Sequence, residues 1–142
     1  NDENTPNKEF APEGWHVPTD AEWTTLEEYL IASGYNYDDT TTGNKIAKAM
    51  ASTTGWISNT NPGAIGNDQS LNNSSSFKTF PEGNRFYDGS FNVEGYGAIF
   101  WSSTENDANL ALYRYLYYNT SNLIRYSLSD KRNGFSVRFV RD

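Results

Sequence analysis

Among its 142 residues the chain has no cysteine, one histidine and one methionine. The missing cysteines exclude disulfides, thiolate metal sites and thiol nucleophiles together. The single histidine, His16, has no second imidazole with which to hold a zinc or copper ion, which takes three or four ligands. No apolar run approaches the roughly 20 residues of a membrane-spanning helix, so direct membrane insertion is not expected. Basic residues are also scarce: 11 Lys and Arg stand against 18 Asp and Glu, a net charge of −7. Residues 1–44 hold ten carboxylates and one Lys, net −9, whereas residues 45–142 hold eight carboxylates against ten Lys and Arg, net +2. An acidic balance of this kind excludes nucleic acid as an expected partner.

Aromatic residues are abundant. Ten Tyr, eight Phe and four Trp make up 15% of the chain, while hydrophobic residues of all kinds make up 36%. That composition predicts a core built from rings more than from aliphatic layers. The length suits one domain. The opening NDENTPNKEFAPEG is polar and shows no signal peptide. Residues 1–13 are therefore expected to be a flexible leader, with a targeting segment already removed, and residues 14–142 a single domain.

The stretch GWHVPTDAEW, residues 14–23, concentrates two tryptophans, a proline and the only histidine ahead of a helix-start signal. Thr19 followed by Glu22 has the spacing of a capping box, Pro18 discourages helical geometry before it, and Asp20 and Glu22 suit the positive helix end. Trp23, Leu26 and Leu30 then recur on one helical face, and Ser33-Gly34 supplies a left-handed stop. His16 is expected to bond backbone groups, and Trp15 and Trp23 to anchor the core. Glu22 is expected to turn inward and meet an arginine, Arg138 or Arg85. The segment NKIAKAMAS predicts a short second helix through Ile46, Ala49 and Met50.

From Thr53 to about Asn84 the chain is dense in Gly, Asn and Ser, which predicts a long irregular region. The remainder reads as short strands: RFY, AIFWSS, ALYRYLYY, LIRYSLS and FSVRFVR, the last three forming an antiparallel meander with ALYRYLYY central. Helices first and an antiparallel sheet last is an α+β layout.

The runs GWHVPTDAEW, GAIGNDQ, FWSSTE and NGFSVRFVRD resemble the Fibrobacter succinogenes major paralogous domain family, in that order and from about Gly14 to Asp142. The opening and closing phrases are also similar to those of formylglycine-generating, sulfatase-modifying enzymes. Both resemblances imply a C-type-lectin-like fold: an N-terminal helix pair, a long loop region and a small twisted antiparallel sheet. The first implies a secreted or cell-surface address in bacteria. The chemistry of formylglycine-generating enzymes needs a cysteine pair and is excluded here.

Candidate functional residues lie in the loops. Asp68, Asn72 and Asn73 in GNDQSLNN, and Glu105, Asn106, Asp107 and Asn109 in STENDAN, carry the hard oxygen ligands that calcium takes. Asp68, Glu105 and Asp107 are the calcium candidates. Turn capping is the competing role for the same residues. Trp101, Tyr113, Tyr115, Tyr117, Tyr118 and Tyr126 form a pool of rings from which one or two are expected to line a site, since ring faces stack on sugars and anchor protein interfaces. Ser102 and Ser103 lack the G-x-S-x-G turn of a nucleophile. The leading expectation is a non-catalytic surface or secreted binding and adhesion module. It would recognise a glycan or a surface protein through Trp101, Glu105, Asn106, Asp107, Asn109, Tyr113, Asn72 and Asn73, with no cofactor required and calcium the one open option. The alternatives are an assembly subunit, whose ligand is another copy, and a carboxylate-based enzyme or enzyme relic.

Overall fold

The computed structural model describes residues 10–142; residues 1–9, the greater part of the expected leader, lie outside the described residues. Strand β1 (Trp15–His16) is followed by helix α1 (Asp20–Ala32) and a single helical turn, α2 (Ala47–Met50). A 3-10 turn at Gln69–Leu71 is the one helical piece within the irregular region. The chain then forms β2 (Asn84–Arg85), β3 (Phe91–Asn92), β4 (Gly97–Glu105), β5 (Leu110–Tyr117), β6 (Ile124–Asp130) and β7 (Val140–Arg141). This is an α+β arrangement, as the order of sequence patterns predicts.

Helix α1 starts where its chemistry dictates. The Thr19 hydroxyl accepts from the Glu22 N–H, and Glu22 Oε2 accepts from the Thr19 N–H at 2.8 Å, closing the capping box. At the other end Ser33 caps the helix and Gly34 takes φ +78°, the left-handed stop that glycine adopts without a Cβ penalty. Trp23 and Leu30 are buried and Leu26 packs beside them. The predicted inward turn of Glu22 does not occur. Its second carboxylate oxygen accepts from His16, while Arg138 donates to the Phe77 carbonyl at 2.9 Å and lies over the Phe77 ring. Arg85 does not contact it either; capping satisfies helix-start N–H groups at once, and an exposed arginine has no such deficit.

The main sheet has the order β4-β5-β6, all antiparallel, with β5 central as expected. The meander is composed differently from the prediction. AIFWSS supplies its first strand, and FSVRFVR is split: Ser136 makes an isolated bridge to Phe100, and Val140–Arg141 crosses to pair with Trp15–His16. The two ends of the domain are thus hydrogen-bonded to each other. β2 and β3 form a small separate hairpin in which RFY contributes only Arg85.

The core also differs from the compositional expectation. Its fully buried members are Ile46, Met50, Ile65, Leu116 and Leu123, joined by Ala47, Ala51 and Ala98. Rings enter as one cluster, with Trp23 5.7 Å from Phe100 and 6.1 Å from Phe77, beside a buried Trp56. Tyr113, Tyr115, Tyr117 and Tyr126 instead cover the outside of the sheet, because a hydroxyl retains water there that an aliphatic side chain has no use for. Trp15, expected in the core, is 44% exposed, against 2% for Trp23. Its backbone is committed to pairing with Arg141, which turns the side chain outward.

One charged group is buried to completion. Arg114, in the middle of β5, is 0% exposed and points inward with Leu112 and Leu116. Its guanidinium is bonded to the Asp20 carboxylate, to the Asp20 carbonyl at 3.2 Å and to the Thr24 hydroxyl at 2.9 Å. Arg125 of β6 reaches the same carboxylate at 3.0 Å. Burial pushes the Asp20 pKa upward, but Arg125 and Arg114 outweigh it and hold the group below the ordinary aspartate range.

Two stability experiments follow. Asp20→Asn leaves a buried guanidinium without its counter-charge and is expected to cost about 3–5 kcal/mol, whereas Arg125→Ala, at an exposed partner, costs below about 1 kcal/mol. Urea unfolding at neutral pH measures both. Because the Asp20 pKa is lowered on folding, its contribution is complete above the unfolded value and is lost as pH falls through the folded one. Trp23→Ala is expected to cost about 3–5 kcal/mol, and Trp15→Ala less than about 1 kcal/mol; equal losses would contradict the burial difference.

Candidate functional site

The pairing of β1 with β7 places His16 beside the chain end and the start of α1. Its Nδ1 lies 2.6 Å from Asp142 Oδ1 and its Nε2 2.8 Å from Glu22 Oε1. The expected bonds to backbone groups are therefore replaced by carboxylates on both sides. Hydrogen bonding to Asp142 and then to Glu22 raises the imidazole pKa, and the backbone N–H of Thr19 together with His16 lowers that of Glu22. An imidazolium with both N–H groups donated satisfies this geometry.

In front of His16 opens a cleft of about 590 Å³. Trp15 and Phe10 line it from the opening segment, and Trp101, Ser103 and Glu105 from the end of β4. Lys131 and Asp142 complete its polar lining. The cations here are already matched. Lys131 Nζ sits 2.8 Å from Glu105 Oε1 and donates to the Asp107 carbonyl at 2.7 Å. The cleft therefore offers two indoles and several hydrogen-bonding groups whose charges are balanced in pairs.

Trp101 also belongs to the outer face of the sheet. It stacks on Phe135 with ring centroids 4.3 Å apart and meets Tyr113 edge-on at 6.2 Å. Tyr113 in turn stacks on Tyr126 at 5.2 Å. The register explains this row, since Trp101, Tyr113 and Tyr126 stand directly opposite one another across three strands. Tyr115 and Tyr117 continue the face, with Tyr115 lying over Gly97, where a Cβ would come within 2.5 Å of the ring. Arg114 and Arg125 point to the other side, so no cation interrupts the rings.

The structure gathers some of the sequence candidates and separates others. Trp101 and Glu105 line the cleft, Tyr113 meets Trp101 only on the outer face of the sheet, and the turn of Asn106, Asp107 and Asn109 adjoins the cleft through Lys131. Asp107 caps that turn, accepting from the N–H groups of Asn109 at 2.8 Å and Leu110 at 2.9 Å. Those bonds hold its pKa below the ordinary value. Asn72 and Asn73 do not join this site. Asn72 is buried and its amide donates to the carbonyls of Ser52 at 2.9 Å and Ile65 at 3.2 Å, while Asn73 takes φ +68° and donates its N–H to the Lys48 carbonyl. The Asn72 side chain is an internal strut and not a ligand contact, because a loop this long has backbone carbonyls that strands and helices do not satisfy. Asp68 accepts from the Ser70 hydroxyl in that same region. Asp68, Glu105 and Asp107 are thus not brought together, and among the described residues no group of three or more His, Cys, Asp or Glu side chains is arranged to hold a metal ion. Ser102 is buried and donates to the Leu112 carbonyl.

Sequence reasoning passed over Trp15, Lys131 and Asp142 as site residues. Trp15 was visible in the sequence, but its outward direction depends on pairing with residue 141, and Asp142 meets His16 across 126 positions.

Fold and site together define a small α+β domain whose two ends are laced together beside an open, ring-lined cleft. The chain belongs to the Fibrobacter succinogenes major domain family, whose sequence model matches residues 2–141. No curated protein and no solved structure matches the chain.

The His16 contacts generate a pH test. The imidazole pKa is raised on folding, so its stabilisation is complete below the unfolded value of about 6.5 and is lost as pH rises through the folded one. The thermal midpoint is expected to fall as pH rises above about 6.5, and His16→Gln to flatten that slope. An equal slope in the variant would show that another group is responsible.

Proposed function

We propose that the protein is a non-catalytic binding module, secreted or displayed on a bacterial surface, that recognises a neutral glycan at the Trp15–Trp101 cleft. The observation that carries this reading is the double membership of Trp101, which lines the cleft and at the same time ends an uncharged row of rings. Apolar ring faces next to paired hydrogen-bonding groups suit the C–H faces and hydroxyls of a sugar. A net charge of −7 and the internal pairing of Lys131 and His16 favour an uncharged ligand over an anionic one.

The absence of catalysis in this reading rests on the use of the reactive groups. His16 has both ring nitrogens engaged, Ser102 is buried, Glu105 is paired with Lys131 and Asp107 is spent on a turn. A C-type-lectin-like fold is part of the same proposal. It is supported by the early helix pair, by the irregular stretch interrupted by one 3-10 turn, and by the three-stranded sheet.

Screening the chain against neutral and acidic polysaccharides, with calcium and with chelator, tests the proposal. A neutral glycan is expected to bind, and Trp15→Ala and Trp101→Ala are each expected to weaken it by about 5- to 30-fold, the effect of losing about 1–2 kcal/mol. Loss of binding in chelator alone would place calcium in the site. Binding that survives both substitutions, or that favours acidic polymers, would overturn the assignment.

A further inference from the structure

Residues of α1 and β7 line a second hollow, of about 440 Å³, which shares none of its lining with the Trp15–Trp101 cleft. Helix α1 supplies Trp23, Leu26 and Tyr29 to it, and Phe77 and Val140 help to complete an almost wholly apolar surface. Trp23 is buried, with its ring 6.1 Å from that of Phe77, whereas Tyr29 is 62% exposed and Val140 37%. The apolar lining therefore runs from the core out to solvent, and its volume falls in the range of small-molecule sites. Its helical wall, from Glu22 to Tyr29, is about 10 Å long.

One charge in this lining is left unmatched. Arg114, Arg125 and Arg132 each meet a carboxylate, but Arg138 has none among the described residues. Its guanidinium lies 4.6 Å from the centre of the Phe77 ring and spends one N–H on the Phe77 carbonyl at 2.9 Å. A guanidinium has five such donors, and contact with a ring face uses none of them. Glu22, the one carboxylate in the lining, does not answer it. Its Oε2 accepts from the Thr19 N–H and hydroxyl and its Oε1 from His16, so both oxygens are held by the helix start and the opening strand.

We infer that the hollow binds a medium-chain alkyl carboxylate, whose chain lies against Trp23, Leu26 and Tyr29 and whose carboxylate accepts from Arg138. A guanidinium fork matches a carboxylate, which takes two N–H bonds at once. The apolar wall suits a chain of methylenes and offers nothing to the hydroxyls of a sugar. The net charge of −7 is a property of the whole chain. Exposed charges more than about 8–10 Å away are largely screened, so the guanidinium in contact sets the sign of the ligand. This inference is independent of the glycan reading, because the two sites have no residue in common.

Calorimetric titration of the chain with hexanoate, octanoate and decanoate tests this. One site per chain is expected, with affinity rising about two- to four-fold for each added methylene. Arg138→Gln is expected to weaken octanoate by about three- to ten-fold and to leave 1-octanol, which carries no charge, within about two-fold of the wild type. Thr25 is an exposed member of the lining, and glutamate and lysine both favour a helix more than threonine does, so variants there fold. Thr25→Glu is expected to weaken octanoate and Thr25→Lys to tighten it, each by about two-fold or more. A surface that is merely apolar responds to both in the same direction. The inference is overturned if decanoate shows no saturable binding up to about 1 mM, if Arg138→Gln changes octanoate and 1-octanol alike, or if the two Thr25 variants act alike.

Discussion

A buried guanidinium in direct contact with the Asp20 carboxylate fixes how this domain goes together. Arg114 lies in the central strand, beneath the first turn of α1, and cannot be left unpaired in an apolar interior. Asp20 meets that requirement while also standing at the positive end of the helix, where a carboxylate is favoured in its own right. Because Arg125 shares the same carboxylate, the helix start is tied to two neighbouring strands. Further bonds follow from that placement: the Asp20 N–H donates to the Thr104 hydroxyl at 2.9 Å, and the Ser103 N–H to the Pro18 carbonyl at 2.9 Å. With the helix start held against β4 and β5, Trp23 and Leu30 are aimed at the core and the opening strand is delivered to the chain end.

The irregular half of the domain is organised by side chains that substitute for secondary structure. Lys48 is buried without a carboxylate partner, and its ammonium is held by the carbonyls of Ala64, Asn67 and Asp68. Desolvation lowers its pKa accordingly. Asn36 gathers the carbonyls of Thr40 and Gly43 and accepts from the Lys45 N–H, and Asn72 does the same work for Ser52 and Ile65. Asparagine-rich connections of this kind are internal frames first. The rings that face outward come instead from the sheet and from the paired ends.

The cleft and the β6 edge lie on different parts of the same sheet, and the row of rings connects them. Trp101 marks its cleft end and Tyr126 its edge end, on the two outer strands of the three.

Much of the local structure was legible in the sequence. The capping box, the Gly34 stop, the Trp23-Leu26-Leu30 face, the central position of ALYRYLYY and the family itself follow from spacing and motif, since each depends on neighbours a few residues apart. The same reasoning misassigned Trp15, Glu22 and Asn72, and passed over the inward side of Arg114. Trp15 is turned out by a strand 126 positions away, Glu22 is claimed by His16, and Asn72 is enclosed by carbonyls from two other segments. The sequence by itself determined where the two helices lie and which segments form the three long strands and the irregular region, because those choices are decided by local backbone preference and by periodicity. Tertiary structure alone decided which polar groups are buried and which rings face water, because both depend on the charge or backbone brought alongside by distant parts of the chain.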